Sequence, residues 1–236
     1  KAVKDDKKII SATDITQEKR TERLASMGQV AAHLAHEIRN PIGSISLLNS
    51  TLLKRAEPKI LPIVEQIQKG IWRVERIIKA TLLFTKGLSI TPKEFNFLDI
   101  KSECEEALKF YEYSKDINFE LNFPDALYSG DFDLIAMVFQ NILFNAIDAI
   151  EEDENDEGVV RLSYEKTPNE HKFIVYDSGV SIKNENIVFE PFKTSKLKGN
   201  GLGLHLCLQI IEAHKGSIEI TLEPKTFCIN LPIKEK

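Results

Sequence analysis

From Leu24 to Leu52 the apolar positions Leu24, Met27, Ala31, Leu34, Ile38, Pro41, Ile45, Leu48 and Leu52 follow one another in alternating steps of three and four. Sustained over about four heptads, this spacing predicts one long helix with a single apolar seam, built to lie lengthwise against other helices. Ile60, Val64, Ile67, Ile71, Val74 and Ile78 repeat the same steps, and "RAEPK" with Pro58 and Pro62 separates the two runs. Proline ends the first helix and suits the first turn of the next, so residues 22–88 read as a helical hairpin. Two helices cannot enclose a core by themselves. A dimeric four-helix bundle made from two copies of the hairpin, and hence a homodimer, is expected.

Near Gly87 and Pro92 the periodicity changes, which places a short linker there and a second domain at 91–236. "FDLIAMVFQNILFNAIDAIEE" puts Ile135, Val138, Phe139, Ile142, Ala146 and Ile150 on one face of a core helix. β-rich runs flank Thr167-Pro168-Asn169 and again Glu223-Pro224-Lys225, as two hairpins would. The second domain is therefore expected to be an α/β sandwich, and the acidic run at 151–157 a solvated loop. With 236 residues, 42% hydrophobic and 28% charged, there is material for one large or two modest soluble domains. The net charge of −5 comes without a basic stripe, so neither nucleic acid nor an anionic membrane surface is an expected partner. No apolar stretch of bilayer-spanning length and no signal peptide is expected. Cys104, Cys207 and Cys228, far apart and without a C-x-x-C pair, fit a reducing cytoplasm.

Inside the first helix stands the polar cluster "HLAHEIRNP". With Ala31 at heptad position a and Leu34 at d, His36 falls at f, pointing away from the seam. Glu37 is its neighbour, and Asn40 follows one turn later. A solvated helix face would account for such residues. So would a metal pair of His33 and His36, but Asn40 stands where an H-E-x-x-H zinc site needs its second histidine. His36 as a general base, or as a nucleophile whose Nδ1 proton is held by Glu37, are the remaining readings.

The second domain carries groups suited to a nucleotide. Asn141 and Asn145 lie four apart, off the apolar face, and offer hard amide oxygens of the kind Mg²⁺ takes. Asp177 ends a strand before "SG"; a carboxylate there accepts from the exocyclic amine of adenine and meets the carbonyl of guanine as a second acceptor. Gly199, Gly201 and Gly203 precede an apolar-faced helix whose N–H groups can approach phosphates, without the ending of a Walker loop.

In their order and spacing, "HEIRNP", "NILFNAIDA", "DSG", "FEPFKTSK" and "GNGLGL" resemble the H, N, G1, F and G2 boxes of bacterial two-component sensor histidine kinases, in the form of the nitrogen-regulation subgroup. The resemblance implies a dimerisation and histidine-phosphotransfer domain at 22–88 followed by a Bergerat-type (GHKL) ATP-binding domain. It implies His36 as the phosphoacceptor, Glu37 as the adjacent base, and Asn40 at the position that orients water for dephosphorylating the regulator. It further implies Asn141 and Asn145 near Mg²⁺ and the phosphates, Asp177 as the adenine contact with Gly179 as its turn glycine, and Lys196 as the F-box lysine. Gly199, Gly201 and Gly203 correspond to the phosphate-binding glycines, and Thr226 to a threonine supporting the adenine pocket, although the glycine often found before it is absent. ATP and Mg²⁺ are the implied cofactors. The implied partner is a response regulator receiver domain, in this subgroup commonly that of a sigma-54-dependent activator of flagellar or nitrogen type. "ISATDITQEKRTE" resembles the end of a PAS sensor domain and its exit helix, which assigns residues 1–21 to an upstream input module. His33 has no counterpart in the pattern, and Pro41 is placed to bend the helix in response to signal.

One departure stands inside the G1 box, where "DSGVSI" has Ser181 in place of a second glycine. If that position needs positive φ, serine costs on the order of 1 kcal/mol. A catalytically weak ATP-binding scaffold or phosphatase is the resulting alternative. A chaperone-type or DNA-handling ATPase of the same superfamily is a further one, disfavoured by the helical hairpin.

Overall fold

The computed structural model describes residues 16–182, 188–193 and 201–233, and side chains from residue 33 onward other than that of His36. The first fifteen residues of the PAS-like stretch, with Lys196 and Gly199, lie outside the described residues.

Helix α1 (Thr16–Leu53) runs unbroken through Pro41, and α2 (Leu61–Lys86) begins with Pro62 in its first turn. Ala35, Ile78 and Leu82 are buried between them, with Ile42 and Val74 packed alongside. Asn49 joins this face, its Nδ2 donating to Gln68 Oε1 at 2.8 Å and to the Val64 carbonyl at 3.3 Å. Ala35, Ile42 and Asn49 are seven apart, and each stands one place past a d position of the sequence seam. The seam itself faces outward, with Leu34 at 49%, Ile38 at 44%, Ile45 at 45%, Leu48 at 66% and Leu52 at 50% exposure. In α2 the division is similar: Val64, Ile71 and Ile78 are buried, while Ile60, Ile63 and Ile67 are exposed.

The rest of the chain is an α/β sandwich. Strands β1 (Lys93–Asn96), β2 (Asp116–Leu121), β3 (Leu127–Gly130), β4 (Glu157–Lys166), β5 (Glu170–Asp177), β6 (Ser217–Leu222) and β7 (Lys225–Pro232) alternate with helices α3 (Phe97–Phe110), α4 (Phe132–Glu151) and α5 (Gly203–Ala213). The main sheet has the order β2-β4-β5-β7-β6, with β2 and β4 parallel and the other neighbours antiparallel. A separate antiparallel pair joins β1 and β3. The turns at Pro168 and Pro224 fall where the sequence places them.

One face of the sheet carries the helices. Val160, Leu162, Phe173, Val175, Phe227, Ile229 and Leu231 project into a core shared with Phe97 and Ile100 of α3, Phe139, Ile142 and Ile147 of α4, and Leu206 and Ile210 of α5. Helix α3 starts in a reciprocal cap: the Asn96 side chain accepts from Leu98 N, and Asp99 accepts from Asn96 N. Asp131 caps α4, and its own N–H donates to Nε2 of the buried His214 at 2.9 Å. Contrary to the expectation that no apolar run reaches bilayer length, the 20-residue α4 does, with a mean hydropathy of 1.4 over its most apolar 18 residues. Its apolarity serves the core: 78% of its most apolar 18 residues are buried, as a helix packed on a sheet between two other helices requires.

Candidate functional site

Asp177 ends β5 on the helix-covered face of the sheet, where β5 alternates between buried and half-buried side chains. It is 4% exposed. The chain then turns sharply: Gly179 N donates back to Asp177 Oδ1 at 3.1 Å, and Val180 N donates to the Ala149 carbonyl of α4 at 3.0 Å. Gly179 has to be glycine here, since a Cβ would stand 2.3 Å from the Ala149 carbonyl carbon. Ser181 is exposed, and Phe192 and Lys215 are the only non-glycine residues with positive φ among those described. The backbone cost considered for serine at position 181 therefore does not arise.

Asn141 and Asn145 both project from α4, Asn141 buried and Asn145 half-buried. A Cβ built on Gly203, the first residue of α5, would lie 3.6 Å from Asn141 Oδ1. The N-terminus of an 11-residue helix, with its outward N–H groups, thus meets the amide of Asn141. Gly201 just ahead has φ of 67°, and a Cβ there would approach the Phe192 carbonyl carbon to 2.7 Å. Asn141 Nδ2 is buried without an oxygen or nitrogen partner among the described residues, within reach only of the Cys207 sulfur. A buried donor without an oxygen acceptor at a helix N-terminus is an arrangement that an anionic phosphate fits, and the amide oxygens suit a hard cation. The structure thus sets Asp177 with Gly179 against the C-terminal end of α4, and Asn141, midway along α4, against the start of α5.

The last hairpin adds a residue that the sequence reading passed over. Thr226 pairs with Tyr176 across β5 and β7, so it shares the half-buried face with Tyr176, away from Asp177. The residue on Asp177's side is Lys225. Its Nζ lies 2.5 Å from Asp177 Oδ1 and 2.5 Å from the Val180 carbonyl, with the two charged side chains 6% and 3% exposed. Strand alternation held the signal: Lys225, Phe227, Ile229 and Leu231 occupy one face of β7.

In the hairpin, Glu37 and Asn40 are exposed on α1. His36 lies in the same helix, and its side chain is not among those described. His33 is exposed as expected, but it is not idle: its Nε2 lies 3.2 Å from Glu37 Oε1.

The hairpin and sandwich meet along α2, from Gln66, which donates to Glu112, to Phe84. The Arg76 guanidinium lies over the rings of Phe144 at 4.2 Å, Trp72 at 5.1 Å and Tyr111 at 5.5 Å. Tyr111 stacks on Phe144 and donates its hydroxyl to Asp148 at 2.6 Å. Further along α2, Phe84 packs edge-on against Phe192 and His205, beside the start of α5.

Comparison with known proteins agrees with this geometry. Residues 26–89 match the His Kinase A (phospho-acceptor) domain, and residues 130–235 match the histidine kinase-, DNA gyrase B-, and HSP90-like ATPase domain. Sensor histidine kinase FlgS of Helicobacter pylori is 53% identical over 230 residues, which are 95% of this chain and 60% of that protein. Sporulation kinase C of Bacillus subtilis is 30% identical over 222 residues, covering 91% of this chain and 51% of that protein. The chain thus spans between half and three-fifths of the length of these two relatives. Among solved structures, the Acinetobacter baumannii histidine kinase AdeS superposes with a TM-score of 0.51 at 22% identity, over 85% of this chain and 98% of that one. The mycobacterial sensor histidine kinase MprB gives 0.51 at 24% identity, over 60% and 97%. These two likenesses concern the fold. A phosphoacceptor helical hairpin followed by an α/β ATP-binding sandwich, in one chain, places this protein in the family of two-component sensor histidine kinases.

Proposed function

We propose that this chain autophosphorylates His36 with ATP and then passes the phosphoryl group to an aspartate of a response regulator. The observation that carries the proposal is the presence, in one chain, of His36 on a helix beside the exposed Glu37 and Asn40 and of two groupings suited to a nucleotide, Asp177 with Gly179 and Asn141 with Gly203, both set against helix α4. Asp177 accepts from the adenine amine. The N-terminus of α5, Gly199, Gly201 and Gly203 receive the phosphates, with Lys196 and Asn141 beside them. His36 Nε2 then attacks the γ-phosphorus, the bond to the bridging oxygen of ADP breaks, and Glu37 holds the Nδ1 proton. Asn141 and Asn145 would hold Mg²⁺, which neutralises phosphate charge when bound. Asn40 orients water for the reverse task, dephosphorylation of the regulator. The partner follows subgroup resemblance: the receiver domain of a sigma-54-dependent activator, of flagellar or nitrogen type.

Residues 22–88 form the dimerisation and phosphotransfer unit, 91–236 the ATP-binding unit, and 1–21 the end of an upstream sensor module. The exposed stripe of Leu34, Ile38, Ile45, Leu48, Ile60 and Ile67 supports a homodimer in which two hairpins close one four-helix bundle. The free thiols of Cys104, Cys207 and Cys228 suit a cytoplasmic setting.

Incubation with γ-labelled ATP and Mg²⁺, beside His36→Gln and His33→Gln, tests the central claim. Acid-labile, alkali-stable label that disappears in His36→Gln alone is the expected result. Label retained in His36→Gln would move the acceptor elsewhere. ATP binding without any label would return the scaffold or phosphatase reading.

A further inference from the structure

Lys225 is out of place by composition. Its strand neighbours on the same face are Phe227, Ile229 and Leu231, yet it is 7% exposed and buries its ammonium against Asp177. Removing two charges from water is expensive, and such a pair adds little stability over an apolar replacement. Its geometry, however, is specific. Asp177 Oδ1 accepts from Lys225 Nζ at 2.5 Å and from Gly179 N at 3.1 Å, so two donors hold the carboxylate from different directions. The same Nζ donates to the Val180 carbonyl, and Val180 N is tied to Ala149 of α4. Lys225 therefore links the last hairpin, the turn after β5 and the helix that carries Asn141.

We propose that Lys225 is a positioning residue of the base pocket: by clamping one oxygen of Asp177 it fixes the carboxylate plane, and thereby sets the preference for a purine bearing an exocyclic 6-amine. The inference rests on the reading of Asp177 as the adenine contact. A carboxylate that can rotate loses the directional advantage of accepting from the amine, because hydrogen bonds to ionised acceptors gain most when aligned. An ion pair that served folding alone would affect every nucleotide equally.

The test is equilibrium binding of ATP and of purine riboside triphosphate, which lacks the 6-amine, to the whole chain and to Lys225→Met and Lys225→Arg. The wild type is expected to prefer ATP. Lys225→Met is expected to weaken ATP roughly tenfold and the amine-free nucleotide less than about threefold, so that the preference collapses, while Lys225→Arg retains it. Should the methionine variant fail to fold beside an uncompensated carboxylate, Lys225→Thr admits water to that carboxylate and carries the same expectation. Equal losses for both nucleotides, or an unchanged preference in the folded neutral variant, would overturn the inference. A wild type that binds both nucleotides equally well removes Asp177 as the amine contact, a failure of the underlying reading seen before any variant is made.

Discussion

The helical hairpin and the sandwich handle apolar surface in opposite ways. In the sandwich, α4 buries 14 of its 20 residues, and the sheet supplies a complete opposing layer. In the hairpin, the described residues of α1 and α2 bury a narrow strip, Ala35 and Asn49 on one helix and Val64, Ile71, Ile78 and Leu82 on the other, and a row of isoleucines and leucines stays exposed. A sheet with helices on one face can close its core within a single chain, whereas two helices leave one side of each seam open. Between the two lies a joint of a third kind, with the Arg76 cation enclosed by the aromatic rings of Trp72, Tyr111 and Phe144.

Breaking the comparison at the hairpin has the largest expected effect. Ile45→Glu with Leu48→Glu removes four apolar side chains across the proposed dimer, at about 1.5–3 kcal/mol each, so the dissociation constant should rise by more than about ten-thousand-fold. Sedimentation should then show monomers that still bind ATP; a persistent dimer would place the interface elsewhere. Next comes the sandwich core. Phe139→Ala should cost about 3–5 kcal/mol in denaturant unfolding and leave the dimer intact, because Phe139 is fully buried far from the exposed stripe.

The joint should respond more modestly. Burial lowers the Arg76 pKa while the Tyr111 hydroxyl and Asp148 favour its charge, and burial raises that of Tyr111. A double-mutant cycle of Arg76→Met with Phe144→Leu should give a coupling of about 1–2 kcal/mol; additive effects would mean that the cation merely fills space. The smallest effect concerns His171, which is buried beside Tyr164, its Nδ1 2.9 Å from the phenol oxygen. Desolvation, then Lys166, pull its pKa below 6.5. The unfolded chain therefore binds the proton more readily, so stability is full above about pH 6.5 and falls as the pH drops through the lowered folded value. His171→Phe should flatten that part of the stability profile, and an unchanged slope would assign it to other groups.

Much of this was legible in the sequence. The two seams, the core helix α4 and the hairpins at Pro168 and Pro224 follow from periodicity and turn residues, which act within a few positions of the chain. The same holds for the ordered motifs around His36, Asn141, Asp177 and Gly203. Periodicity also predicts a seam without saying what lies across it. That Ala35, Ile42 and Asn49 face α2 while Leu34, Ile38 and Ile45 face outward depends on how two helices are rotated against each other. The parallel pairing of β2 with β4 and the Arg76 enclosure depend on where elements meet. Thr226 and Lys225 show the limit most directly. The motif pointed to the threonine, and the register of β7 against β5 turned the lysine toward Asp177. By itself the sequence determined which segments form helices and strands and which residues are candidates to bind a nucleotide and carry a phosphoryl group, because propensity and motif are local. Only the tertiary structure decided which of them share a face, because strand register and helix rotation are settled by contacts between residues far apart in the chain.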